Sequence, residues 1–300
     1  NTVTGLLFFG KPSFIGSKGN NKNIINHAVF TDNGYFKGSN DFGRLTLGAG
    51  CHYRFPADSL AQPGSYYTHH FVQTINELEV NGNCNFGVTI LTSDYRPVQA
   101  VIDYTGGPLD TEYLQVRDIK NTGSVMTISS GIDAGNNEGI QFTDPLQPRT
   151  LYWVNGQGLW SEVNHWSLAS GGSPGECPPT RLDNIFFDAG SGFNETEDTV
   201  LVVSPNIHCN DMTWVDGFSE LVHFVSADTV VDWIYVDTLE SWKLDTFMLP
   251  NETRVLHIMG SVELDPKLSL GFWGDVYYES DNDNDYESID LEWFGPRYNF

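Results

Sequence analysis

The sequence predicts an all-β protein made of right-handed parallel β-helix (β-solenoid) units, with tandem β-sandwich domains as the alternative architecture. Three observations lead there. Helical spacing of apolar residues persists almost nowhere along the chain. Short β-rich runs recur between clusters of Gly, Asn, Asp and Pro. Two of those runs, Leu6-Leu7-Phe8-Phe9 and Ile185-Phe186-Phe187, are continuously apolar, as strands buried on both faces of a parallel sheet are. Sandwiches built from hairpins show near-strict alternation instead.

In chain order, the first half offers runs at Gly5 to Phe9, Ile24 to Phe30, Arg44 to Leu47, His69 to Val80, Val88 to Leu91, Val98 to Tyr104 and Tyr113 to Val116. The second half offers Asn184 to Phe187, Thr199 to Val203, Asp211 to Trp214, Leu221 to Val225, Trp233 to Val236, Arg254 to Met259, Asp275 to Tyr278 and Ile289 to Trp293. All are short, evenly spread and bounded by turn residues. In a parallel β-helix each coil contributes a few such strands and stacks on the previous coil.

Between the two sets lies Leu151 to Ser167, which holds Trp153, Trp160 and Trp166, three of the eight tryptophans, with Asn155-Gly156 as a turn signal. The pattern reads as strand, tight turn and a corner packed with tryptophan. The expectation is that Trp153, Trp160 and Trp166 are buried, and that their exposure side by side would mark a binding surface instead. His165 is expected to pack or hydrogen-bond inside this corner.

The chain has 39 acidic and 15 basic residues, a net charge of -24. That balance argues against tracking of nucleic-acid phosphates and against binding to anionic membranes, and favours cationic partners or divalent cations. The acidity is concentrated after residue 150, where 26 acidic residues face 5 basic ones. No apolar run approaches the roughly 20 residues of a membrane span. With neither an initiator Met nor a signal peptide, the chain reads as an excised or processed soluble segment. Cys51 and Cys84 are separated by nearly the same distance as Cys177 and Cys209, which predicts two local disulfides, Cys51–Cys84 and Cys177–Cys209, in an oxidising compartment. The competing reading is four buried thiols.

Tyr152-Trp153-Val154, Gly156, Gly158, Trp160-Ser161 and Asn164 to Ser167 resemble the start of repeat units in very large cell-surface proteins of Bacteroidota-type bacteria. The similarity continues through Ser170-Gly171-Gly172, Cys177 to Thr180, Asp183 to Ala189 and Cys209 to Trp214. Upstream, Asp32 to Phe36, Cys84, Leu114 to Ile119 and Ile132 to Asn137 resemble the closing part of the preceding unit, and the acidic tail after Gly274 matches least. The resemblance implies type IX secretion, display as a long filament or adhesin, and a role in attachment or gliding. It supplies neither a ligand nor a catalytic residue.

Asp281, Asp283, Asp285 and Glu292 occupy places one, three, five and twelve of a calcium-loop pattern. Place six is Tyr286 where an EF-hand has Gly, and no helices flank it, so a solvated acidic turn competes with a calcium site. His69 and His70 are strand neighbours that point to opposite faces, a poor chelating pair. His208 beside Cys209 suggests zinc only if that thiol is free. Paired carboxylates at a glycosidase-like spacing are uninformative among so many acids, and the basic and His-Gly signatures of β-helical lyases and hydrolases are missing, so no enzyme is expected. Exposed aromatics such as Tyr66, Tyr67, Trp233, Trp242, Trp273 and Tyr277 could stack on sugars, although strand aromatics mostly fill cores. Asn194 and Asn251 head N-glycosylation patterns; Ser59, Thr199, Thr229 and Thr238 sit in the Asp-Ser/Thr-apolar pattern that resembles a Bacteroidota O-glycosylation acceptor.

The sequence is thus expected to be a window on a tandem array, with residues 1–148 ending one β-solenoid unit and 149–300 beginning the next. The expected function is a stiff, disulfide-pinned, acidic extracellular rod on the cell surface that acts in adhesion or gliding without chemistry of its own. Its partners would be adjacent units of the same chain or filament and surface glycans, with no nucleic acid and no membrane insertion. No cofactor is expected beyond calcium. The alternative is a carbohydrate-binding or polysaccharide-degrading β-helix.

Overall fold

The computed structural model describes residues 2–9, 13–16, 22–57, 71–84, 87–95, 97–109, 111, 113–194, 197–203, 206–215, 221–236, 241–250, 254–263, 268–271, 274–279 and 286–289. The chain divides into two compact units, Asn1–Gln147 and Pro148–Phe300. Both are nearly all β with parallel sheets, as the apolar runs predict, and no α-helix occurs among the described residues.

The first unit contains β1 (Thr2–Phe9), β2 (Ser13–Gly16), β3 (Lys22–Phe30), β4 (Gly34–Lys37), β5 (Ser39–Leu47), β6 (His52–Phe55), β7 (Val72–Val80), β8 (Thr89–Ser93), β9 (Ala100–Tyr104), β10 (Leu114–Arg117), β11 (Ile119–Asn121), β12 (Met126–Ile128), β13 (Gly131–Asp133) and β14 (Ile140–Phe142). Successive strands go alternately to two parallel sheets, ordered β1-β3-β5-β7-β9-β11 and β2-β4-β6-β8-β10-β13, while β12 and β14 pair separately. Each new strand is added to the same growing edge. The corner from one sheet to the other takes a single left-handed residue at Gly38 (φ 65) between β4 and β5, and at Asp118 (φ 54) between β10 and β11. Asp118 tolerates that region because its short polar side chain finds local partners; it accepts a 2.6 Å hydrogen bond from Asn136 Nδ2.

Alternation along each strand sends one set of side chains inward. Ile25, Phe42, Ile75 and Ile102 from the odd-numbered sheet meet Phe36, Tyr53, Leu91 and Leu114 from the other in one core. Aromatic rings stack from turn to turn, Phe9 on Phe30 at 4.4 Å and Phe36 on Phe55 at 4.5 Å. Amides stack as well: Asn23 Nδ2 donates to Asn40 Oδ1 (2.8 Å), Asn40 Nδ2 to Gln73 Oε1 (2.8 Å), and Gln73 Nε2 to the Gly38 carbonyl (2.6 Å), all buried. This three-rung ladder satisfies polar groups that would otherwise destabilise the interior. Adjacent strands approach closely where Gly43 of β5 meets Asn26 of β3. A Cβ at Gly43 would stand 2.6 Å from the Asn26 carbonyl oxygen, so only glycine fits.

The second unit contains β15 (Thr150–Trp153), β16 (Gly158–Leu159), β17 (Trp166–Ser167), β18 (Asn184–Phe187), β19 (Glu197–Val202), β20 (Asn206–Cys209), β21 (Met212–Trp214), β22 (Leu221–Val236), β23 (Ser241–Pro250), β24 (Arg254–Ile258), β25 (Val262–Glu263), β26 (Leu268–Gly271), β27 (Gly274–Glu279) and β28 (Tyr286–Ile289). Parallel pairing again dominates, through β15-β18-β21-β25, β16-β19-β22-β26 and β20-β24-β27. Three pairs are antiparallel: β15 with β17, β22 with β23, and β27 with β28. β22 combines both modes. Its first residues lie parallel between β19 and β26, and Ala227 to Val236 run on as an antiparallel ribbon with β23.

Candidate functional site

The tryptophan corner of the second unit is the best-defined local structure. Trp153 in β15 pairs with Trp166 in β17, and Trp153, Trp160 and Trp166 are all buried. Their rings meet edge to face, Trp153 on Trp166 at 5.2 Å and 89°, Trp160 on Trp166 at 5.0 Å and 74°, the arrangement an aromatic quadrupole favours. Two of the buried indole N–H groups find backbone acceptors: Trp153 Nε1 donates to Gly156 O (2.6 Å) and Trp166 Nε1 to Trp160 O (2.7 Å). Beyond them Phe187 stacks on Trp214 at 3.7 Å and 3°. His165 lies flat on Trp153 (4.6 Å, 11°), with Nδ1 2.9 Å from the Val154 carbonyl oxygen and Nε2 3.4 Å from the Glu162 carboxylate. A Cβ on Gly158 would fall inside the imidazole, so glycine there admits the ring.

Outside this corner the chain turns through two consecutive left-handed residues, Asn155 (φ 68) and Gly156 (φ 67). The turn forms one wall of an open cleft of about 460 Å³, within the range of small-molecule sites of roughly 300–1,000 Å³. Asn155, Gln157, Asn194 and Asp198 line it together with Gly156, Gly192 and three further glycines. The Gly156 N–H donates to Ser191 O at 2.8 Å, which joins the two walls. The lining offers amides, a carboxylate and bare backbone. No Ser, Cys, His, Lys or aromatic ring is among the residues that line it.

A second buried polar centre holds the start of the unit in place. Asp183, fully buried at the entrance to β18, accepts from Arg149 N (2.8 Å), Nε (3.1 Å) and a terminal guanidinium nitrogen (2.8 Å). It also accepts from Thr180 N (2.7 Å) and Thr180 Oγ1 (3.0 Å). A carboxylate removed from water needs this many donors to be stable.

The cysteine pairing expected from the spacing is corrected. Cys84 and Cys177 are the disulfide-bonded cysteines, and Cys51 and Cys209 are free and buried, so both Cys51–Cys84 and Cys177–Cys209 fail. The reason is placement. Cys51 and Cys209 point into the two cores and act as small apolar side chains. Burial pushes the Cys209 thiol well above its ordinary value, with Asp211 and Asp183 adding to the effect. Burial likewise raises the Tyr53 phenol, which donates to Phe30 O at 3.2 Å.

His208 is buried beside the free Cys209, yet no group of three or more His, Cys, Asp or Glu side chains among the described residues could hold a metal ion. Of the glycosylation candidates, Asn194 is exposed at the cleft rim and Thr199 is half-buried in β19. Thr229 lies in β22 opposite Met248. Ser59, Thr238 and Asn251 fall outside the described residues, as do Asp281, Asp283, Asp285 and Glu292 of the calcium pattern, His69 and His70, and Tyr66, Tyr67 and Trp273. Trp233, Trp242 and Tyr277 lie on β22, β23 and β27.

Sequence reasoning missed the cleft and the amide ladder. The ladder had a signal: Asn23-Ile24-Ile25, Asn40-Asp41-Phe42 and Gln73-Thr74-Ile75 each place an amide two residues before a large apolar side chain in a β run. No family model matches the chain, and no curated protein and no solved structure matches it either.

Proposed function

We propose that the chain is a non-catalytic, extracellular segment of a bacterial cell-surface adhesin or filament, and that each unit is a right-handed β-solenoid. The observation that supports this best is the strand order of the first unit. Strands alternate between two facing sheets and always extend the same edge, which is how a coil stack grows and why such folds serve as stiff scaffolds. The right-handed sense is the one that parallel crossovers adopt. Disulfide-bonded Cys84 and Cys177 favour an oxidising compartment, and the net charge of -24 favours solubility and cationic or neutral partners. The resemblance of Tyr152 to Ser167 to repeat starts in surface proteins supplies the secretion route and the role in attachment or gliding.

Attachment under flow tests the adhesive part. Beads coated with the purified chain should stay on host-cell or polysaccharide-coated surfaces several times more often than beads coated with an unrelated protein of matched negative charge. Equal retention of the two would refute an adhesive role.

A further inference from the structure

We infer that Asn81 is the residue at which the folded chain modifies itself, by deamidation through a cyclic imide formed with Gly82. Three Asn-Gly pairs occur in the sequence: Asn33-Gly34, Asn81-Gly82 and Asn155-Gly156. In each, the residue after the asparagine lacks a Cβ, so its backbone nitrogen can approach the side-chain amide without steric obstruction. Local sequence thus marks three sites of comparable reactivity. The fold separates them.

Asn33 and Gly34 are held in place. Asn33 is half-buried, and its Oδ1 accepts from His52 N at 2.7 Å. Gly34 is buried at the start of β4, in register between Ser13 of β2 and Tyr53 of β6. Asn155 is exposed, yet its Nδ2 donates to Asn164 O at 2.8 Å, and the backbone nitrogen that would attack, Gly156 N, donates to Ser191 O at 2.8 Å. Reaction at either pair therefore waits for hydrogen-bonded structure to open. Asn81-Gly82 follows β7 directly, with Asn81 exposed and Gly82 half-buried. The Asn81 N–H donates to Leu47 O at 3.0 Å, which anchors its main chain. Among the described residues, neither the Asn81 side-chain amide nor the Gly82 N–H makes a hydrogen bond. The electrophile is fixed at its base and loose at its tip, and the nucleophile beside it is unengaged.

The Gly82 nitrogen gives up its proton and bonds to Cγ of Asn81, while the Cγ–Nδ2 bond breaks and that nitrogen leaves with the proton as ammonia. Water then adds at one of the two imide carbonyl carbons. Opening at Cγ leaves an ordinary aspartate, and opening at the main-chain carbon leaves an isoaspartate whose backbone runs through Cβ. No electrons are exchanged, water is the only co-reactant, and the chain gains one negative charge. The last paired residue of β7 is Val80, opposite Leu47, so the extra backbone atom of isoaspartate falls after the strand and leaves the register of the stack intact.

The test uses the whole chain with its disulfide intact, incubated in mildly alkaline buffer made with heavy-oxygen water and then digested with pepsin in ordinary water, so that only conversions during the incubation carry the label. Peptide mass mapping should show labelled aspartate and isoaspartate at position 81 accumulating at least tenfold faster than at positions 33 and 155. The same incubation in urea should bring the three rates within a few fold of one another. Gly82→Ala should slow conversion at position 81 at least tenfold with an unchanged circular dichroism spectrum, and Asn81→Gln should remove the main acidic species on isoelectric focusing. Conversion at position 33 or 155 as fast as at 81 in the folded chain, or none at 81, would overturn the proposal. So would the same ranking in urea, which would trace the selectivity to neighbouring sequence rather than to the fold.

Discussion

Replacing Asn40 tests whether the amide ladder holds the first unit together. Asn40 is fully buried, accepts from Asn23 at 2.8 Å and donates to Gln73 at 2.8 Å. Asn40→Ala removes both bonds, each contributing about 1 kcal/mol net, and leaves the buried Gln73 oxygen without that donor at a further cost of about 1–3 kcal/mol. The expected loss is therefore about 3–5 kcal/mol. With a urea dependence of roughly 1–3 kcal/mol per molar, the transition should move down by about 1–5 M. All eight tryptophans lie after residue 150, so their fluorescence reports the second unit, and hydrogen exchange of peptides from β3, β5 and β7 is the appropriate readout. Asn40→Asp adds a pH signature. A buried carboxyl there has its folded pKa raised above the unfolded value of about 3.9, so its penalty is absent below about pH 4 and grows as pH rises. A loss under about 0.5 kcal/mol for Asn40→Ala, or a pH-independent Asn40→Asp, would refute the reasoning.

Three further outcomes are expected. Asp183→Ala leaves the Arg149 guanidinium without its main partner and should destabilise the second unit by about 3–5 kcal/mol, seen as an earlier tryptophan-fluorescence transition; a loss below about 1 kcal/mol would show that the centre is dispensable. Native protein should show no reaction with a thiol reagent, and unfolding in the absence of reductant should expose two thiols, Cys51 and Cys209. Because burial raises the folded pKa of Cys209, the unfolded state loses its thiol proton first. Stability is then complete below about pH 8.5 and falls as pH rises beyond it; a flat profile between pH 8 and 10 would contradict that burial.

The parallel, all-β character was legible because the runs at Leu6 to Phe9 and Ile185 to Phe187 carry it in composition alone. β1 and β18 contain those runs, and both sit in parallel sheets. The burial of Trp153 and Trp166 was legible for the same reason: bulky aromatic residues around a turn signal have few other places to go. Cysteine pairing was not legible, because spacing along the chain does not tell which cysteines face a core. β22 reads in sequence as two separate runs, Leu221 to Val225 and Trp233 to Val236, and β23 was missed, since Ser226 to Val236 has no break residue to show where parallel pairing gives way to antiparallel. The cleft was invisible in sequence because its walls are glycines brought together by backbone hydrogen bonds such as Gly156 to Ser191.

The amide ladder also bears on how such a chain can change over time. Asn23 and Asn40 are 17 residues apart, whereas Asn40 and Gln73 are 33 apart, yet both steps are one strand spacing in the sheet. Insertions between rungs therefore leave every stacked contact intact, while a single inserted residue within a rung would turn its amide out of line. Such a protein can lengthen its surface loops freely and keep its interior, so that relatedness survives as a column of side chains through the stack after any regular interval along the sequence has been lost.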